Sequence, residues 1–268
     1  MIRTIVKSAI VLSLVLGCAA GAFAGDSALA RIIENNELRV GTSGAQPPFS
    51  LISKSGELIG YDIDLANGIA DAMGVDVVFV QKPFGELLGA LEKGEVDIVM
   101  SGLTMTPERN LRFAFVGPYM VSGKSILTTS AALAKIDDPE DLDQSQVKAA
   151  ALEGSTSQDF VVDEWPRMQL TLTKDYDEAV NLLREGKVGA VVADFPICAL
   201  TILRYPDDGF ATLAQPLTIE PMGVAMPPDD HLFINMMQNY LGALEGFGVL
   251  DVLEEYWFQK GDWLIQMP

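Results

Sequence analysis

Apolar runs of strand length alternate with amphipathic stretches of helix length along this chain, and the alternation runs through once and then starts again. In the first pass, residues 38–42 read as a strand. Ile63, Leu65, Ile69, Ala70 and Met73 then recur at helical spacing, with Gly74 as a C-terminal stop. Residues 75–80 are β-branched and extended, 84–91 form a short helix with Leu87, Leu88 and Leu91 on one side, and 96–100 are a further strand. A β-α-β-α-β order needs crossover connections, so it implies a parallel sheet with helices on its faces. The second pass has strands at 148–152, 170–172 and 188–193, and helices at 156–165, 176–185 and 195–204. Two such units in 268 residues point to two lobes.

Two extended stretches join the units. Residues 121–130 carry Gly123 near their start, and residues 219–226 carry Pro221 and Gly223 and lead into helices at 232–244 and 248–257. Two crossings return the terminal helices to the first lobe and open a cleft between the lobes. Ligand sites favour such clefts, at the carboxyl ends of parallel strands.

The first 24 residues stand apart. Arg3 and Lys7 precede an apolar run over 9–20, and Ala22-Phe23-Ala24 is a small-x-small cleavage signal ahead of Gly25. That pattern is a secretory signal peptide, too short for a stable membrane span. Two competing readings are an uncleaved anchor and lipidation at Cys18: Val15-Leu16-Gly17-Cys18 approximates a lipoprotein box, but with Leu16 where a small residue is usual. The formal charge is -19, and removing Arg3 and Lys7 leaves 16 cations against 37 acids, or -21. Such a surface repels phosphate backbones, which excludes nucleic acid as a partner class, and it suits a soluble monomer. After cleavage Cys198 is the one cysteine left, so no intrachain disulfide forms; in its apolar run it reads as a small buried hydrophobe.

Catalytic constellations are absent from the sequence. The single histidine, His231, follows Asp229 and Asp230 at a helix start, where these residues read as caps. There is no CxxC, HExxH, P-loop or GxGxxG, and the SxxK match beginning at Ser145 precedes a strand without companion motifs. The expectation is a protein that is not an enzyme and needs no cofactor or metal.

The informative segment is Ser101-Gly102-Leu103-Thr104-Met105-Thr106-Pro107-Glu108-Arg109, which begins where the strand at 96–100 ends. Gly102 lets a backbone N–H approach a ligand, Thr104 supplies a hydroxyl, and Arg109 offers a planar fork for a carboxylate. The same residues also read as a capped helix start, with Thr106 as N-cap and Pro107 at the first position. Asp194 follows an apolar strand and has two readings: N-cap of the next helix, or a buried carboxylate awaiting a cation.

The run 38–42, then Pro47-Pro48-Phe49, Gly60-Tyr61-Asp62-Ile63-Asp64-Leu65-Ala66 and 101–109, resembles the bacterial solute-binding proteins of polar amino-acid ABC importers. Later matches are Leu152-Glu153-Gly154-Ser155-Thr156, Ala193-Asp194 and Gly223-Val224-Ala225. The resemblance implies an α/β, two-lobed periplasmic-binding-protein fold of type II, each lobe a central β-sheet flanked by helices, joined by two hinge strands. It implies lobe 1 over 26–123 plus 224–268 and lobe 2 over 124–223. By the same resemblance, Gly102, Thr104 and Arg109, completed by Thr156, hold the α-carboxylate of a free amino acid, and Asp194 takes its ammonium. Phe84 stacks on the ligand's side chain. Gln46 departs from the aromatic often found at its place, and Ser43 departs from the acid carried by members that bind cationic side chains; Glu153 lies close enough to take that acid's part. The expected ligand is a neutral, polar or modestly apolar amino acid, and the expected partner is a membrane ABC permease in a periplasmic setting. A cyclohexadienyl-dehydratase-like enzyme on the same scaffold, or a ligand-sensing module, are the alternatives.

Overall fold

Each pass of the alternation folds around a sheet of its own. The computed structural model describes residues 27–131, 133–135, 142–143 and 146–267. The signal peptide, Cys18 and Ser145 lie outside the described residues.

The first lobe opens with α1 (Ala28–Asn35), capped by the Ser27 hydroxyl, and continues into β1 (Glu37–Thr42). Three short strands, β2 (Ala45–Gln46), β3 (Ser50–Ile52) and β4 (Leu58–Ile59), form a small antiparallel sheet. Then come α2 (Tyr61–Met73), β5 (Asp76–Gln81), a 3₁₀ turn at Phe84–Glu86, α3 (Leu87–Glu92) and β6 (Ile98–Val99). The helix expected over 84–91 is thus split, and the strand expected over 96–100 pairs only at its centre. After the single turn α4 (Pro107–Asn110), β7 (Ala114–Ser122) leaves the lobe.

The second lobe runs through β8 (Lys124–Thr128), β9 (Lys148–Leu152), α5 (Thr156–Glu164), β10 (Gln169–Thr173), α6 (Tyr176–Arg184), β11 (Ala190–Asp194), α7 (Phe195–Arg204) and β12 (Ala211–Thr212). The chain returns through β13 (Glu220–Met226) and finishes in α8 (His231–Gly246) and α9 (Val249–Glu254). Glu220, Pro221 and Met222, expected in the second lobe, already pair with Ser122, Val121 and Met120 of β7, so the second crossing lies before Glu220.

The two sheets have matching layouts. The first is ordered β5-β1-β6-β13-β7 and the second β10-β9-β11-β8-β12. Three parallel strands lead each sheet, and antiparallel strands adjoining the crossings complete it. All the parallel strands therefore end on the side facing the other lobe, where β1 gives way to Ser43, β6 to Ser101 and β11 to α7.

The terminal segment is tied to the first lobe by aromatic packing. Trp257 and Trp263 are almost fully buried with ring centroids 4.9 Å apart, and Phe258 packs edge-on to Phe49 and Tyr61 at 5.3 and 5.4 Å. Each indole N–H has an acceptor: Trp257 donates to Asp64 Oδ2 and Trp263 to the Trp257 carbonyl. Burying such rings with their polar tips satisfied contributes about 1.5–3 kcal/mol apiece, enough to hold the last 40 or so residues on lobe 1. The second lobe has its own core around Trp165, Val161, Ile126 and Val192.

Candidate functional site

The Ser101–Arg109 loop is held from three directions. Met105 N–H donates to the Pro221 carbonyl and Gly223 N–H to the Leu103 carbonyl, which pins the loop to the start of β13. The Thr106 hydroxyl accepts from Arg109 N–H and Pro107 occupies the first turn, as expected for a capped start. From below, buried Asp62 accepts the Gly102 N–H at 2.6 Å. That last contact engages the Gly102 N–H that was expected to approach a ligand. What the position requires is the left-handed φ of +58°, with a Cβ there meeting the Phe49 ring at 3.0 Å. Asp62 is fully enclosed, and burial pushes its carboxyl up to about 7. Sequence reading quoted Asp62 only as part of a motif.

So held, the loop aims Thr104 and Arg109 across the cleft. Arg109 Nη1 donates to the Thr104 carbonyl at 2.8 Å and Nη2 to the Gly154 carbonyl of the second lobe at 3.2 Å. Neutral carbonyls take two of its five N–H groups, and among the described residues the rest of the fork has no hydrogen-bond or ion-pair partner. Burial lowers the Arg109 pKa; the field of nearby acids, Asp159 first, works the other way. The Thr104 hydroxyl lies 3.3 Å from that of Thr156, at the first position of α5, behind the Ser155 cap. Thr104, Arg109 and Thr156 thus come together at the mouth of a helix N-terminus, where an anion is favoured.

The lobes touch where two glycines meet. Gly154 has φ +73°, and a Cβ on it would sit 2.7 Å from the Gly85 Cα. Phe84, beside that contact, is buried at the edge of a 400 Å³ crevice shared with Glu153, Gly154 and Gln158. Glu153 itself is exposed and has no salt bridge among the described residues.

Asp194 resolves one alternative read from the sequence. It precedes α7, yet its side chain makes no cap hydrogen bond. Oδ1 instead accepts from Lys124 Nζ at 2.8 Å, with Lys124 only 1% exposed. Lys124 also lies 3.6 Å from Glu220 Oε2, and Glu220 accepts from the Thr156 and Thr218 hydroxyls. Burial raises the Asp194 pKa, and the Lys124 charge opposes that rise. The cation that sequence reasoning sought for Asp194 is thus supplied first by the chain itself, while Oδ2 makes no hydrogen bond among the described residues. Lys124 and Glu220 were both missed. The available signal was a lone lysine in an otherwise uncharged strand directly after Gly123, since a lysine is rarely buried without an acid beside it.

On the other side of Thr104, Ser43 and Gln46 meet. Gln46 Oε1 accepts from the hydroxyls of Ser43 and Ser101. The strand order β5-β1-β6-β13 therefore lays out Phe84, then Ser43 and Gln46, then Ser101 and Thr104, then Glu220, in a line along the cleft floor. His231 is exposed at the start of α8, where Asp230 is the cap. Cys198 is buried, its thiol pushed up to about 12 by that burial. Among the described residues no group of three or more His, Cys, Asp or Glu is placed to hold a metal ion, and no helix is long and apolar enough to cross a membrane.

This geometry has known counterparts. The ancestral amino acid-binding protein AncCDT-1, described as a precursor of cyclohexadienyl dehydratase, superposes with a TM-score of 0.80 at 35% identity, over 87% of this chain and all of that one. An ancestral arginine-binding protein bound to glutamine gives 0.78 at 31%, over 84% and 99%. By sequence, the chain is 26% identical to ABC transporter arginine-binding protein 1 of Escherichia coli (strain K12), over 84% of this chain and 91% of that protein. It is 27% identical to the cyclohexadienyl dehydratase of Pseudomonas aeruginosa, over 88% of each. A single family model matches residues 38–260, both lobes and every cleft residue named above, so the chain belongs to the bacterial extracellular solute-binding proteins, family 3.

Proposed function

We propose that this protein captures a free amino acid between its lobes and hands it to a membrane ABC permease, as an exported periplasmic monomer. The observation that carries the reading is the unpaired part of the Arg109 guanidinium, fixed between Thr104 of one lobe and Gly154 of the other. A carboxylate there takes a charge-assisted, two-pronged bond from Arg109, a hydroxyl donor from Thr104, and the N–H groups at the start of α5, where Thr156 stands. Asp194 Oδ2 receives the ammonium group, beside the Lys124 bond on Oδ1. Phe84 covers the solute's side chain. The two crossings between β7 and β8 and between β12 and β13 serve as the hinge, and the solute favours the closed form by binding it better.

The test is a thermal-shift panel of the mature, ligand-free protein against the common amino acids. A solute that binds only the folded state raises Tm. A shift with one or a few amino acids, absent in Arg109→Ala, supports the reading; no shift with any of them overturns it. Buried Asp194, with its raised pKa and a lysine in contact, also fits a proton donor of dehydratase type, which is the second reading. Turnover of prephenate by the same preparation would decide for it.

A further inference from the structure

Asp62 lies beneath the Ser101–Arg109 loop, fully enclosed, and among the described residues no cation forms a salt bridge with it. Asp97, enclosed to the same degree, is answered by Arg31 and Arg39. Asp62 has neutral donors instead. Oδ2 accepts the Gly102 N–H at 2.6 Å. Oδ1 faces the Tyr119 hydroxyl, and neither of these two enclosed atoms has another partner among the described residues. Burial holds the Tyr119 hydroxyl protonated, so it is the donor. An enclosed carboxylate without a cation is costly, so a protein retains one where its charge has a use.

That use is set by where the two donors belong. Gly102 opens the loop that carries Thr104 and Arg109, and Tyr119 lies on β7, just before that strand ends at Ser122 and crosses to the second lobe. The Tyr61 hydroxyl ties the same point of β7 to α2 by donating to the Tyr119 carbonyl at 2.9 Å. One carboxylate thus joins the loop to a hinge strand, and it accepts both donors only while ionised. A proton on Oδ2 would face the Gly102 N–H. A proton on Oδ1 would turn the Tyr119 hydroxyl into an acceptor and leave its own proton without a partner. Burial pushes the Asp62 carboxyl up to about 7, and the Gly102 and Tyr119 bonds pull the other way. No ionised side chain acts on it among the described residues. Asp64, its neighbour on α2, is turned to the Trp257 indole, and Asp251 and Glu254 of α9 bear on Tyr61.

We infer that Asp62 is a positioning residue for the solute site: its ionised form fixes the loop in the solute-binding geometry, so binding releases a proton from Asp62. The inference rests on the proposed function, because it takes the solute's carboxylate as bound by Arg109 and Thr104 of that loop. Linkage gives the direction. Solute favours the ionised state, so affinity rises as pH climbs through neutrality. Folding runs the other way. A carboxyl raised above its unfolded value stabilises the fold most at low pH, and that contribution is lost as pH rises toward 7. An Asp62 with a structural role alone would show only the second trend.

Calorimetric titration of the mature protein with the common amino acids, from roughly pH 5.5 to 8, tests this against Asp62→Asn. The variant keeps an oxygen for the Gly102 N–H but cannot ionise. Over that range wild-type affinity should rise roughly three- to tenfold relative to the variant. Near neutrality, binding heats in buffers of different ionisation enthalpy should report proton release in the wild type only. Asp194, Asp159 and Asp64, whose pKa burial also raises, are present in both proteins, so the difference belongs to Asp62. Parallel pH profiles, or equal proton release, would overturn the inference and leave the proposed function standing. Binding of none of the amino acids would overturn the proposed function and the inference with it. Should Asp62→Asn fail to fold, the wild-type Gly102 amide resonance decides. Its titration near neutrality should move to lower pH when a bound amino acid saturates the protein, and an unmoved midpoint would overturn the inference.

Discussion

The two ends of the cleft are built on opposite principles. At one end Arg109 is charged, half-buried and held by neutral carbonyls, so its charge is available. At the other end Lys124 is enclosed and closed off by Asp194 and Glu220. A buried charge without its partner is strongly destabilising, whereas a charge balanced only by dipoles near solvent is tolerated and ready for an incoming anion. The Lys124 end is therefore expected to matter mainly for stability, and the Arg109 end mainly for affinity.

The largest effect should come from Lys124→Met. It leaves Asp194 and Glu220 facing each other without a cation and should cost about 3–5 kcal/mol in urea unfolding. The deficit has a predicted pH dependence. A carboxyl that holds its proton to higher pH in the folded state than in the unfolded one lowers stability as pH rises. Burial already raises Asp194, and losing Lys124 raises it further, so the deficit should be greatest near neutrality and shrink toward pH 5. A Lys124→Met protein as stable as wild type would erase the contrast between the two ends.

Arg109→Ala should behave in the opposite way. Two half-exposed hydrogen bonds to carbonyls are worth about 1 kcal/mol in unfolding, yet binding of the best solute should fall by roughly a hundredfold or more. Comparable losses in stability and affinity would blur the distinction.

The smallest effect sharpens the contact between lobes. Gly154→Ala places a methyl 2.7 Å from the Gly85 Cα at φ +73°, while Gly186→Ala meets nothing within 4 Å at φ +68°. Both should lose about 1–2 kcal/mol of stability for the left-handed backbone. Only Gly154→Ala should also weaken solute binding, by roughly tenfold, because only there does the methyl oppose closure. Equal affinities in the two variants would show that the glycine contact plays no part in it.

The same contrast explains what the sequence revealed. The carboxylate end was legible because Thr104, Thr106, Pro107 and Arg109 lie in one short loop, and local cap chemistry fixes how that loop turns. The Lys124–Asp194–Glu220 cluster was not, because its members come from β8, β11 and β13, with Lys124 and Asp194 alone 70 positions apart. The local signal at Lys124, a lone lysine in an uncharged strand, says that an acid is needed but not which one. The 3.6- and 2-residue periods located most strands and helices, since those repeats reflect one buried face at a time. Periodicity located the stretch that becomes β13 but not the extent of β6, whose strand pairing shrinks to Ile98–Val99. The Gly85–Gly154 approach needs two lobes to exist before it has meaning.

The central claim is capture between lobes, and small-angle X-ray scattering of the mature protein with and without its best solute tests it most directly. The account predicts a smaller radius of gyration on adding solute, absent in Arg109→Ala at the same concentration. Saturating binding that leaves the radius of gyration of the wild-type protein unchanged from an open, ligand-free form would contradict it.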